Sequence, residues 1–430
     1  MQLTATGRTG GEGDAAARGR TAARGRATDA HIAPLDGLRG LAVLAVLFFH
    51  AGHFGGGFLG VDLFFVLSGF LITGLLLKEA AGPRGRIDLI AFWGRRARRL
   101  LPAFAVLVAG TLGLVWAFGS PDLLAFALDD TPWVLGQSVN WHYIAGQVGY
   151  WNDGGTHVFS HLWSIAVEWQ FYLVWPVAVA LLARGRRAGG RVALVAGCGA
   201  LVSLGLMVAL VQGVDTTRVY EGTDTRAFSL LLGSLAATGP VRRLVARTGR
   251  GAADLLVAAL VCGLAVSWFL VDGPGERFLF QGGLFVHALA AALLIALLAH
   301  APGGRAGRLL GSAAPRWLGL VSYSLYLWHW PVYLLLSEEF LRFGGWTRTA
   351  VIMTVSLAAA ILSKALVEDP VRFRGGRWTR GRTGLAVLVG AAVVLVGVWA
   401  LIPRPDLGAG SVDLTELMGL AGPVQLTREV

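Results

Sequence analysis

The sequence predicts an all-α protein, a bundle of helices that crosses a membrane many times, and three observations carry that expectation. Of its 430 residues 55% are hydrophobic and only 15% charged, with a mean hydropathy of +0.62, whereas soluble domains carry roughly 25% charged residues. Apolar runs of mostly 17 to 23 residues recur along the chain, each long enough to cross a hydrocarbon core of about 30 Å as a helix. The arginines gather in alternate loops between those runs.

Eleven runs qualify, near 35–52, 58–78, 101–119, 161–183, 192–212, 226–239, 253–271, 279–300, 317–337, 349–367 and 384–402. The first, LDGLRGLAVLAVLFFH, ends at the glycine-rich GHFGGGFLGVD, which reads as a tight turn into the second. The basic run FWGRRARRLLP introduces the third, and the fourth, SHLWSIAVEWQFYLVWP, carries Glu168 inside it. RGRRAGGR precedes the fifth, and the sixth is the shortest, followed by VRRLVARTGR before the seventh and eighth. The ninth is VSYSLYLWHWPVYLLL, the tenth runs out at VEDPVR, and RFRGGRWTRGR precedes the eleventh.

Charge then orients the bundle. The N-terminal arm and the loops 78–99, 184–191, 241–250, 305–316 and 372–382 are basic, whereas 120–160 holds Asp122, Asp129, Asp130 and Asp153. Basic loops stay in the cytoplasm during insertion, so the N-terminus is expected inside and the C-terminus outside. The net charge of +11 is thereby explained without nucleic acid. Residues 1–32 read as a disordered Arg- and Gly-rich arm, 33–375 as a ten-span membrane domain, 384–402 as an eleventh span and 403–430 as a short extracytoplasmic tail. No cleavable signal is recognised, so the first span is expected to direct insertion. Cys198 and Cys262 fall inside spans and imply no disulfide framework.

The candidate chemistry begins with Arg39 and His50, which share the first span with ten residues between them and no other ionisable group in that gap. At about 100° per residue, eleven positions return both to nearly one helix face, about 16 Å apart along the axis. Ionisable groups in a span face a polar interior, so the pair is expected to line one hydrated cavity. His50 is either an interfacial cap beside His53 or a general base or transient nucleophile. Arg39 pairs either with Asp36 three residues away or with an anionic ligand such as a phosphate.

Arg95 with Arg98, and Arg96 with Arg99, would form two columns on a short helix at the membrane surface, either anchoring lipid head groups or clamping a polyphosphate. In the fourth span His161, Ser164, Glu168 and Tyr172 make one polar stripe; Glu168 could orient His50 or pair with an arginine. The ninth repeats the device with Ser322, Tyr326, His329 and Tyr333, where the stripe would hydrogen-bond an acceptor or His329 would sit in an aromatic belt. In GTDTRAFSLLLG, Asp224 and Arg226 are expected at the outer mouth of the sixth span, bridging one another or holding a hydroxyl group. Asp62 is a further membrane carboxylate whose partner the sequence does not identify. His142, His157 and His161 fit no metal template, and GxSxG, Walker A, HExxH and CxxC motifs are absent.

With these residues in hand, the chain resembles the acyltransferase-3 family of integral membrane O-acyltransferases, which act on O-antigen, peptidoglycan and macrolides. The resemblance covers roughly 33–375 and rests, in order, on LDGLRGLAVLAVLFFH, GFLGVDLFFVLSGFLITG, FWGRRARRLLP, HLWSIAVEWQFYLVWP, GTDTRAFSLLLG, SYSLYLWHWPV and VEDPVR. It implies transfer of an acyl group, usually acetyl, from cytoplasmic acyl-CoA to a hydroxyl of a glycan, a lipid-linked sugar or a small molecule such as a macrolide. The family's arginine and histidine separated by ten residues land on Arg39 and His50, and its RxxR pattern, implicated in donor binding, on Arg95 and Arg98. Two departures stand out: relatives often have two adjacent glutamates where this chain has Glu168 and Trp169, and many end in an extracellular SGNH-type esterase-like domain that is not seen here. A stand-alone enzyme is therefore expected.

The expected catalytic residues are His50, Arg39 and Glu168; Arg95, Arg98, Arg96 and Arg99 would hold acyl-CoA; and Asp224, Arg226, Ser324, Tyr326 and His329 would hold the acceptor. Acyl-CoA is the expected co-substrate and no metal is expected. The bilayer is the surrounding partner and self-association is left open. A glycolipid or metabolite transporter that makes no bond is the competing class; it would move substrate without acyl-CoA.

Overall fold

Leucine-, alanine- and valine-rich runs separated by Gly, Pro and Arg form helices, and the computed structural model shows their arrangement for residues 32–149, 156–185, 187–211, 216–271, 273, 276–374 and 381–405. The N-terminal arm up to residue 31, Asp153, Arg186 and the tail beyond 405 lie outside the described residues. In chain order the helices are α1 (Ala33–His50), α2 (Gly60–Ala80), α3 (Leu89–Phe118), α4 (Pro121–Leu135), α5 (Val139–Gly146), α6 (Trp163–Leu182), α7 (Ala188–Leu210), α8 (Thr217–Glu221) and α9 (Thr223–Ala236). They continue with α10 (Gly239–Val245), α11 (Arg250–Leu270), α12 (Leu284–His300), α13 (Arg305–Leu310), α14 (Ala313–Leu335), α15 (Glu338–Leu341), α16 (Gly345–Ser363) and α17 (Gly381–Leu401). Among the described residues there is no strand.

Eight helical segments are long and apolar enough to cross a bilayer among the described residues. α14 is 23 residues long but carries the polar stripe of the ninth run, and α9 has only 14 residues. Large side chains such as Leu201 and Val202 on α7, Leu255 and Leu270 on α11, and Val393 and Val394 on α17 are more than half exposed. An apolar belt of that size is stable only against lipid, and the chain is a multi-pass membrane protein.

Three local features differ from expectation. The basic run FWGRRARRLLP is no separate short helix: Asp88 caps the N-terminus of α3 by accepting from the Ala91 amide (2.9 Å), and the helix continues unbroken through Pro102 for 30 residues. Its arginines are thus fixed rigidly to a membrane-crossing rod. The 120–160 segment contains α4 and α5, and Asp130 is buried there; its carboxylate accepts from Tyr143 Oη (2.9 Å) and lies 2.8 Å from His157 Nδ1. Finally, π-helical turns at Leu279–Gly283 and Lys364–Glu368 interrupt the eighth and tenth runs, the former where Gly282 adopts φ +126°.

α14 runs alongside α1, α2 alongside α9, and α9 in turn packs on α7. Small residues permit these contacts, as they do between membrane helices generally. A Cβ on Gly319 of α14 would overlap the Asp36 carbonyl oxygen of α1, and one on Gly69 of α2 would overlap the Leu230 carbonyl oxygen of α9. Gly319→Ala should therefore force the helices apart and cost about 1–3 kcal/mol, read as a lowered unfolding temperature of the detergent-solubilised protein. Gly197→Ala, with open space at the same position on α7, should leave that temperature unchanged.

Candidate active site

α1 presents both of its ionisable groups to α14. Arg39 lines a cavity walled by α1, α2, α3, α6 and α14. Arg96 and Arg99 of α3 line it as well. The Arg96 guanidinium lies 5.7 Å from the Phe92 ring and 5.9 Å from the Tyr172 ring, so two aromatic faces position it. Among the described residues no carboxylate comes within ion-pair distance of Arg39, Arg96 or Arg99. Three guanidiniums facing one space have the chemistry to receive an anion.

Glu168 stands midway along the cavity. Ser68 donates to its carboxylate, and Tyr172 Oη donates to Ser68 Oγ (3.1 Å). This hydroxyl chain holds Glu168 within the field of Arg39 and Arg96. Glu168 thus belongs with the arginines rather than with His50, the alternative that sequence reasoning had left open. Ser68, a lone hydroxyl in an apolar run, was not singled out from sequence.

The cavity does not include His50, contrary to the expectation of one shared space. Tyr326 lies between: its hydroxyl is 2.7 Å from Ser164 Oγ and donates to the His161 carbonyl (2.9 Å). Beyond that layer His50 meets His329, with Nδ1 of the former 3.2 Å from Nε2 of the latter. Backbone carbonyls settle the proton positions, because a carbonyl only accepts. His329 Nδ1 lies 2.5 Å from the Tyr326 carbonyl and must donate to it. In a neutral ring its Nε2 is then an acceptor, so His50 donates from Nδ1. The remaining nitrogen, His50 Nε2, keeps its lone pair. Trp330 packs against His50 with ring centroids 4.7 Å apart, and its indole N–H donates to the His157 carbonyl (3.1 Å).

The other expected residues fall elsewhere. Arg95 is exposed and pairs with Glu79 (3.1 Å), and neither it nor Arg98 lines the cavity; the neighbouring column, Arg96 and Arg99, faces inward because it sits about 100° further round the helix. Asp224 does not bridge Arg226 but takes two hydrogen bonds from Arg218 (3.0 and 2.6 Å). Arg226 is not at a mouth either: it is fully buried, pairs with Asp62 (2.9 Å) and lies 4.9 Å from the Tyr220 ring. Asp62 thereby gains the partner that sequence reasoning lacked, and Ser229 donates to its second oxygen (2.7 Å). Ser324 is buried and donates to Glu368, away from the cavity lining.

The fold and site together define an integral membrane protein of the helical-bundle class, with a guanidinium-lined cavity and an imidazole pair beyond its end. Comparison with known proteins makes this specific: the family model described as an acyltransferase domain matches residues 32–365, and the chain belongs to that family. It is 37% identical over 358 residues to YrhL of Bacillus subtilis, covering 81% of this chain and 56% of the relative. It is 34% identical over 383 residues to the O-acetyltransferase OatA of Staphylococcus aureus (84% and 62%) and 33% over 356 to the peptidoglycan O-acetyltransferase OatA of Listeria monocytogenes (80% and 56%). The chain therefore spans less than two thirds of the length of these relatives. No solved structure matches it.

The Asp62–Arg226 pair identifies a structural rather than acceptor-binding arginine. Arg226→Leu should strand a buried carboxylate and cost about 3–5 kcal/mol, whereas the double change with Asp62→Leu should recover much of that loss. Unfolding temperatures of the purified variants measure the difference.

Proposed function

We infer that the protein is a membrane O-acetyltransferase that moves an acetyl group from acetyl-CoA to a hydroxyl of a cell-envelope glycan. The names of the OatA relatives support both the reaction and the glycan. One observation carries the reading: the same helix presents Arg39 to a cavity that Arg96 and Arg99 also line and, three turns on, His50 in contact with His329. The diphosphate end of the donor occupies Arg96, Arg99 and Arg39, and the basic loops adjoining this end support entry from the cytoplasm. Glu168, held by Ser68, keeps the arginine cluster ordered before the donor arrives.

The thioester is directed along the cavity toward His50. Nε2 takes the proton of the acceptor hydroxyl as its oxygen bonds to the acyl carbon; the C–S bond breaks and CoA leaves as the thiol. Alternatively the same lone pair attacks the thioester and passes the acyl group on from an acyl-imidazole. Either route uses one atom, and His329 fixes the tautomer that exposes it, as a carboxylate does for histidine in hydrolytic triads.

His50→Ala should fold and insert yet lose about 10²- to 10⁴-fold in rate, read as thiol release from acetyl-CoA by purified protein with peptidoglycan fragments as acceptor. In the same assay Arg96→Ala and Arg99→Ala should each raise the KM for acetyl-CoA about tenfold or more while leaving that for the acceptor near its original value. Full turnover by His50→Ala would remove it from the reaction.

A further inference from the structure

The cavity changes character along its length, and helix direction orders its lining. Moving from the Arg99 end toward the His50 end, α2 contributes Ile72, Leu71, Ser68, Leu67, Phe65, Phe64 and Val61, a span of about 16 Å at 1.5 Å per residue. On α6 the order is Tyr172, Glu168, Ile165 and Ser164. The cations and Glu168 thus occupy the first part, and the last part is walled by Phe64, Phe65, Val61 and Ile165 with no charged group. A space that is cationic toward one end and walled mainly by apolar side chains toward the other suits an amphiphile with phosphates at one end and a short acyl group at the other.

Tyr326, only 6% exposed, lines that apolar end. Its hydroxyl is held from two sides, by Ser164 Oγ and the His161 carbonyl, so the ring is latched rather than merely packed. Behind it stand His161 and His329, with ring centroids 5.7 and 5.2 Å from that of Tyr326, and then His50. The ring is at once the floor of the apolar end and the partition before the imidazole pair.

We propose that Tyr326 is a positioning and specificity residue: latched by Ser164, it limits the donor to a short acyl chain and screens the thioester from the His50 side until it swings aside. The proposal rests on the acyltransferase reading above. Two consequences separate. Removing the ring should admit longer chains, each newly buried methylene being worth about fourfold in binding. Removing only the latch should leave chain length unchanged but let water reach the thioester; water's oxygen then bonds to the acyl carbon, the C–S bond breaks, and CoA departs as thiol and the acyl group as carboxylic acid.

The test measures thiol release from acetyl-CoA and butyryl-CoA by the full-length protein in detergent, with and without peptidoglycan fragments. Tyr326→Ala should raise the butyryl-to-acetyl ratio of kcat/KM about tenfold. Ser164→Ala and Tyr326→Phe should keep that ratio while raising acceptor-independent release severalfold. Should Tyr326→Ala fail to fold, the two latch variants still decide: wild-type levels of acceptor-independent release in both would overturn the proposal, as would an unchanged chain-length ratio in a folded Tyr326→Ala. Wild-type turnover combined with either negative result defeats this inference alone, whereas no thiol release by wild-type protein from either donor defeats the acyltransferase reading itself.

Discussion

Gly37 and Gly40 of α1 lie so close to Leu310, Pro315 and Gly319 that a single added methyl group would collide with main-chain atoms. Neither α1 nor α14 can then slide or roll without losing the contact, and the register between them is set at the backbone. That register sets Arg39 on the wall of the cavity that Ser322 also lines, and three turns later His50 beside His329. The reactive groups are located by rigid rods held at close range, which is a more accurate support than loops provide. The distribution of charge follows the same logic: cations that face the cavity are left unpaired by carboxylates among the described residues, whereas Arg226, in the dry interior, is matched to Asp62.

Much of this was legible in the sequence. Hydropathy located the helices because a bilayer demands long apolar runs, and the eleven-residue interval put Arg39 and His50 on one face of α1 because helical periodicity is independent of context, although the single cavity expected for the pair is not what the structure shows. The two polar stripes also meet as stripes in a bundle interior should, through Ser164 and Tyr326. What remained hidden depends on how helices are rotated against one another. Which arginine column of α3 faces inward, and that Asp62 pairs with a residue 164 positions away, are decided by packing between segments. Arg218 rather than Arg226 holds Asp224 because Arg226 points into the core. The barrier between Arg39 and His50 was invisible for the same reason, since it is built from a different pair of helices.

Tyr326 contributes to this centre with two chemically independent parts. Its side chain lines the end of the cavity, while its carbonyl oxygen accepts the proton of His329 Nδ1 and so sets the tautomer on the His50 side. Rotation about the Cα–Cβ bond moves the first and leaves the second in place. On the proposed reading, the passage could thus be cleared without resetting the tautomers and without displacing a helix.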